Sequence, residues 1–275
     1  MQRNTVKNGC AAIIGDLAAW TWEHDKDAFN KSLVSQDAKL SEYGATAIFT
    51  ASSVFRNCDI DPINPWKFEC FLPQTVRDGA PLSTDICKWV DSDRLDKNFP
   101  YEGVKKALVV VYGLTGWSDK SADEASKHAR KIAINFEIKK QDFYATRSLP
   151  KLIWNLRQGM SKDEALNAIE PSIAKLTSNQ SYRADDDPLG AVVRAWDAFY
   201  RSDSLTSAIH NAVKSPVNPH LTAAIAGELA EAMYGWDDEI GIPRYLFDRF
   251  EMQLESLGCQ KATRLIIMDK LSTCY

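Results

Sequence analysis

Leu221-Thr222-Ala223-Ala224-Ile225-Ala226-Gly227-Glu228-Leu229-Ala230-Glu231-Ala232-Met233-Tyr234-Gly235 is the stretch of this chain that says most about its fold. Alanine has the highest intrinsic helix propensity, and Ala224, Ile225, Leu229, Ala232 and Met233 recur at helical spacing. The stretch therefore predicts a helix, with Gly235 placed to end it. Its apolar positions are small, which lets a second helix approach closely.

The segments upstream read the same way. Pro188 suits the first turn of a helix carrying Val192, Val193, Ala195, Trp196 and Phe199, and Asp185-Asp186-Asp187 before it suit a cap at its positive end. Ser161 with Glu164 and Ser121 with Glu124 are capping-box starts, the latter leading into Ala125, Ala129, Ile132, Ala133 and Phe136. Tyr43 to Phe55 and Gly9 to Trp22 each place an apolar stripe on one helical face. Ala107 to Tyr112 is β-branched and short, and reads equally as a strand or as a buried helical turn. The class is mainly α. Asp59 to Pro100, with Pro62, Pro65, Pro73, Pro81 and Pro100, is the least periodic region and is expected to be an irregular excursion over the surface.

The 275 residues carry 33 Lys+Arg against 37 Asp+Glu, a net charge of −4, which argues against a basic nucleic-acid sheath. At 45% hydrophobic and 25% charged, the composition is that of a globular chain with a true core. No run approaches the length needed to span a membrane, and Asp16 interrupts the apolar run near the N-terminus, so the chain reads as mature and cytoplasmic. Cys10, Cys58, Cys70, Cys87, Cys259 and Cys274 form no C-x-x-C pair and read as buried thiols of a reducing compartment. There is no G-x-S-x-G, no G-x-x-x-x-G-K-[ST] and no H-E-x-x-H.

Two motifs, in order, resemble the ADP-ribosylglycohydrolase family, typified by the dinitrogenase-reductase-activating glycohydrolase. Ala11-Ala12-Ile13-Ile14-Gly15-Asp16 with Glu23 looks like the family's opening G-A-x-x-G-D-x-x-G-x-x-x-E. The Leu221 to Gly235 stretch, followed by Ile242-Pro243, is similar to its closing A-A-I-A-G-A-x-A-G-A-x-Y-G and trailing I-P. The resemblance implies an all-α, single compact domain of this type over residues 1–275, with the irregular excursion at about 59–100. It also implies that the two motifs line one cleft.

Members of that family hold two Mg²⁺ ions through T-D-D and D-T-D-T motifs, whose hard oxygen ligands suit that ion. Here the matching positions read Tyr43-Gly44-Ala45-Thr46 and Asn218-Pro219-His220-Leu221. Neutral side chains there would leave four positive charges nearly uncompensated. The expectation is therefore no metal and no cofactor, with Mg²⁺ relevant only if this mapping of ligands fails. Glu23 matches the family's catalytic acid and is the candidate acid/base residue, while Asp16, Tyr43, Thr46, Asn218 and His220 are the candidate ligand-binding residues. His24, His128 and His210 read as structural, and Trp20 and Trp22 as core.

The leading expectation is a degenerate ADP-ribosylglycohydrolase-like protein. It would lack two-Mg²⁺ hydrolysis and use its cleft to bind an ADP-ribose-like small molecule, an ADP-ribosylated protein or another protein partner. No nucleic acid and no membrane are expected. The alternative is an active ADP-ribosyl hydrolase with a remodelled, metal-poor site, in which Glu23 acts as acid/base and Asn218 and His220 hold the ligand. A third reading is a structural or inhibitory protein that docks through the Asp59 to Pro100 region.

Overall fold

The computed structural model describes residues 11–35, 37–47, 84–85, 88, 104–118, 120–135, 143–169 and 186–235. The six cysteines and nearly all of the 59–100 region lie outside the described residues. Nine helices are labelled in chain order among the described residues: α1 Ala11–His24, α2 Lys26–Ser32, α3 Ala107–Ser118, α4 Ala122–Asn135, α5 Phe143–Arg157, α6 Lys162–Asn167, α7 Pro188–Tyr200, α8 Leu205–Ala212 and α9 Pro219–Tyr234. A further helical stretch covers 42–47. No strand occurs among the described residues, so the fold class is all-α.

The ends of these helices follow local chemistry. Asn218, at φ 48°, accepts from the Leu221 amide and caps α9, Pro219 occupies its first turn, and Gly235, at φ 74°, closes it. Asp187 caps α7 by accepting from the Gly190 amide. Ser161 and Glu164 form a complete capping box on α6. Ser121 accepts from the Glu124 amide at 3.1 Å at the start of α4.

The β-branched Ala107 to Tyr112 run is helical, the first half of α3. Leu108, Val109, Val110 and Val111 are each at most 4% exposed, so burial on all sides outweighs the weak strand preference of valine. α3 packs against α4 and α5, and α9 lies at the centre, touching α1, α3, α5, α7 and α8. The buried side chains of all these helices form one continuous cluster.

The α1 and α9 helices run antiparallel with almost no side chain between their backbones. A Cβ at Gly15 would overlap the Ala223 carbonyl, and a Cβ at Gly227 would overlap the Ala11 carbonyl. Ala11, Gly15, Ala223 and Gly227 are the small residues at the points of closest approach. One turn further along α9, the Ala11 amide donates to Glu231 Oε2 at 2.9 Å, so a carboxylate from α9 stabilises the positive end of α1. Among the described residues, no helix is long and apolar enough to cross a membrane.

Candidate functional site

Because α1 and α9 are antiparallel, the last turns of α1 meet the first turn of α9. Asp16 is 1% exposed, and its Oδ2 accepts from the Ser41 amide at 2.8 Å while its Oδ1 accepts from the Ser41 hydroxyl. His220 projects from α9 into the same place. Its Nδ1 lies 3.1 Å from both Asp16 Oδ1 and the Asp16 carbonyl, and its Nε2 lies 3.2 Å from Glu23 Oε2.

Every partner of the ring is an acceptor. Both ring nitrogens therefore donate, and the arrangement favours the imidazolium. Burial alone opposes that charge, but the hydrogen bond and charge of Asp16, with the charge and hydrogen bond of Glu23, outweigh it and raise the His220 pKa above 6.5. The side chain of Glu23 is 40% exposed, so this end of the line Asp16–His220–Glu23 faces solvent.

The sign of the pH dependence follows. A histidine whose folded pKa lies above its unfolded value stabilises the fold fully below pH 6.5, and that contribution disappears as pH rises through the folded value. His220→Ala is expected to lower stability by about 2 kcal/mol near pH 6. The gap between wild type and variant should narrow steadily toward pH 9 in paired urea titrations, and a gap independent of pH would show that His220 acts by packing alone.

Beside this line sits a second polar group. Asn218 Nδ2 donates to Asp186 Oδ1 at 3.5 Å, and Asp186 accepts from Lys106 Nζ at 2.6 Å. Tyr43 lies close to the Asn218 and Glu42 side chains. Burial, followed by the charge of Glu42, raises the Tyr43 phenol above its ordinary 10.0, so it stays protonated and able to donate.

The structure thus brings Asp16, Glu23 and His220 into one contact line and places Tyr43 with Asn218. Thr46 is 2% exposed within its helix. Ser41, which holds Asp16, and Lys106, which pairs with Asp186, were not singled out from the sequence. The one signal for Ser41 was a serine before a helical stretch, and its hydroxyl does accept from the Tyr43 and Gly44 amides at 3.1 and 3.3 Å. The indole of Trp20 stacks on the His24 ring at 4.1 Å, Trp22 meets the edge of Phe29, and the His210 ring lies 5.0 Å from Phe29.

Among the described residues, the side chains at positions 44, 218 and 220 do not fit the oxygen ligand set of a two-Mg²⁺ centre. At position 44 the Asp16 carboxylate fills the space that any side chain would need, because a Cβ there would overlap Oδ2. Asn218 spends its side chain on capping α9 and on Asp186, and both nitrogens of His220 are engaged.

The fold is all-α, with α1 and α9 packed antiparallel and the polar line of Asp16, His220 and Glu23 where they meet. The chain is similar to a solved structure described as an ADP-ribosylglycohydrolase-related protein complex, with a TM-score of 0.63 and 16% identity over 96% of this chain and 97% of that one. No protein-family model and no curated protein matches the chain.

Proposed function

We propose that this protein is a degenerate relative of the ADP-ribosylglycohydrolases that has given up two-Mg²⁺ hydrolysis and binds an ADP-ribose-like ligand, free or carried on a protein, or another protein partner, in a cleft at the solvent-facing end of the Asp16–His220–Glu23 line. The observation that supports this reading is His220. Its ring stands between the buried Asp16 and the partly exposed Glu23, so a side chain of the protein supplies the positive charge that the two carboxylates require. The cleft is rich in acceptors. Asp16 and Glu23 against one imidazolium leave a net negative centre, which suits the hydroxyl groups of a ribose better than a phosphate. In this reading Glu23, partly exposed, accepts from a ribose diol, and Tyr43 and Asn218 are further candidate contacts.

The test is a calorimetric titration with ADP-ribose, run once with Mg²⁺ and once with EDTA. Binding is expected to be equal in both, and Glu23→Gln is expected to weaken it about tenfold through loss of charge-assisted hydrogen bonds. Release of ADP-ribose from a modified arginine or serine peptide, dependent on Mg²⁺ and abolished by the same substitution, would overturn the reading.

The exposed end of the Asp16–His220–Glu23 line supports a second reading, hydrolysis without metal. There Glu23 would act as acid/base, with the proton steadied by His220. Glycoside cleavage by carboxylates usually uses two such groups, and here the second, Asp16, is buried and held by Ser41. Turnover of an ADP-ribosyl substrate in EDTA would favour this second reading over binding alone.

A further inference from the structure

Asp16, Trp20, Glu23 and His24 follow one another at intervals of four, three and one along α1, so they share one side of that helix. Asp16 and Glu23 belong to the acceptor line that His220 completes. Trp20 and His24 form a different feature beside it. The indole and the imidazole are parallel to within 8°, with their centroids 4.1 Å apart. His24 Nδ1 also donates to the Trp20 carbonyl at 2.8 Å, which holds the ring in that orientation.

Trp20 is half-buried and packed against the core, so it supports the stack from beneath, whereas His24 is exposed. The pair therefore offers a flat aromatic face whose position is set before any ligand arrives, and this lowers the ordering cost of binding. A nucleobase suits such a face, because stacking uses its π surface and needs no matching pattern of donors and acceptors. Residues three apart on a helix have Cβ atoms about 5–6 Å from each other, so the stack begins one side chain away from Glu23. The Glu23 carboxylate is 40% exposed and can only accept, which suits the two O–H donors of a vicinal diol. A base and a diol joined over so short a span make a nucleoside.

We infer that the ligand is held as a nucleoside, with its base on the His24–Trp20 stack and its ribose diol at Glu23. This rests on the reading that the cleft binds an ADP-ribose-like molecule, and it specifies which part of that molecule is gripped. Of the two riboses, the one at Glu23 is the one that carries adenine. The distal ribose, at whose glycosidic bond a hydrolase would act, is then not the one at Glu23.

Adenosine and ribose 5-phosphate are the probes, each titrated calorimetrically into the full chain and each competed against ADP-ribose. Adenosine is expected to bind and to displace ADP-ribose, and ribose 5-phosphate to do neither. His24→Ala, a change at an exposed position, is expected to weaken adenosine about tenfold, and His24→Phe to restore it by keeping a ring on the indole. 2′-Deoxyadenosine, which lacks half of the diol, should bind wild type several-fold more weakly than adenosine, and Glu23→Gln should remove most of that difference. ADP-ribose binding that weakens on Glu23→Gln but ignores His24→Ala, or displacement by ribose 5-phosphate and not by adenosine, would overturn the inference while the reading of the cleft stands. Absence of binding by both ADP-ribose and adenosine would overturn the two together.

Discussion

Replacing Gly15 with alanine is expected to destabilise the protein by about 3 kcal/mol, the upper part of the range for overpacked cores, despite the roughly 1 kcal/mol that alanine gains over glycine in a helix. The cause is that the new methyl group meets backbone. A Cβ at Gly15 overlaps the Ala223 carbonyl and comes within 2.8 Å of the Ala224 amide nitrogen, and neither can rotate away as a side chain could. The α1 and α9 helices must then move apart, which opens gaps along a buried seam that includes Ala18, Ala19 and Ala226, each 0% exposed. Gly227→Ala acts at the other close point, against the Ala11 carbonyl, and should cost a similar amount. Once one methyl has pushed the helices apart the second costs less, so the double variant should fall short of the sum of the two. Urea unfolding of the three variants measures this, and single variants within about 0.5 kcal/mol of wild type would mean that the seam is not rigid.

Glu228→Met is expected to have the opposite effect. Glu228 is 0% exposed on α9, and neither carboxyl oxygen has a hydrogen-bond partner among the described residues. Gly113 on α3 makes room for it, since a Cβ there would overlap Oε2. Burial, with the nearby charge of Glu231 as a further cause, raises its pKa well above 4.5. A carboxyl with a raised folded pKa keeps its proton while the unfolded chain gives it up. Its effect on stability is therefore absent below about pH 4.5, and above that stability falls by about 1.4 kcal/mol per pH unit until the folded value is reached.

Methionine has a similar length, no polar atom to desolvate and no proton to release. At pH 7 the variant should be more stable by about 2–3 kcal/mol, or about 4–8 °C in Tm, and the advantage should shrink as the pH is lowered toward 4.5. A variant less stable than wild type at pH 7 would show that the carboxyl satisfies a group in the native protein.

Much of the fold was legible because helix ends and helix faces are local. Ser161 with Glu164, Pro188 and Gly235 each mark a boundary through chemistry that acts within a few residues, and all three boundaries stand where those residues predict them. The α3 helix was less legible. Leu108 to Val111 are helical because neighbours cover them on every side, and that information lies in α4 and α5 rather than in the segment itself.

The site divides along the same line. Asp16, Glu23 and His220 could each be named from motif positions, but their meeting depends on the antiparallel crossing of α1 and α9, which no single segment encodes. Ser41 escaped notice because its role is to hold Asp16, 25 positions away. Glu228 escaped because a charged residue among alanines reads as a solvent-facing position until the other helices are packed around it.

The bond between His220 and Asp16 joins residues 204 positions apart. A chain that must close so large a loop before its central helix pair can form gains little from early local contacts, and such topologies fold slowly. A polypeptide still emerging from the ribosome holds Asp16, Ser41 and Glu23 long before α9 exists to complete them. The contact line therefore forms only once α9 has been made, and a ligand bound across it would hold two distant parts of the chain together.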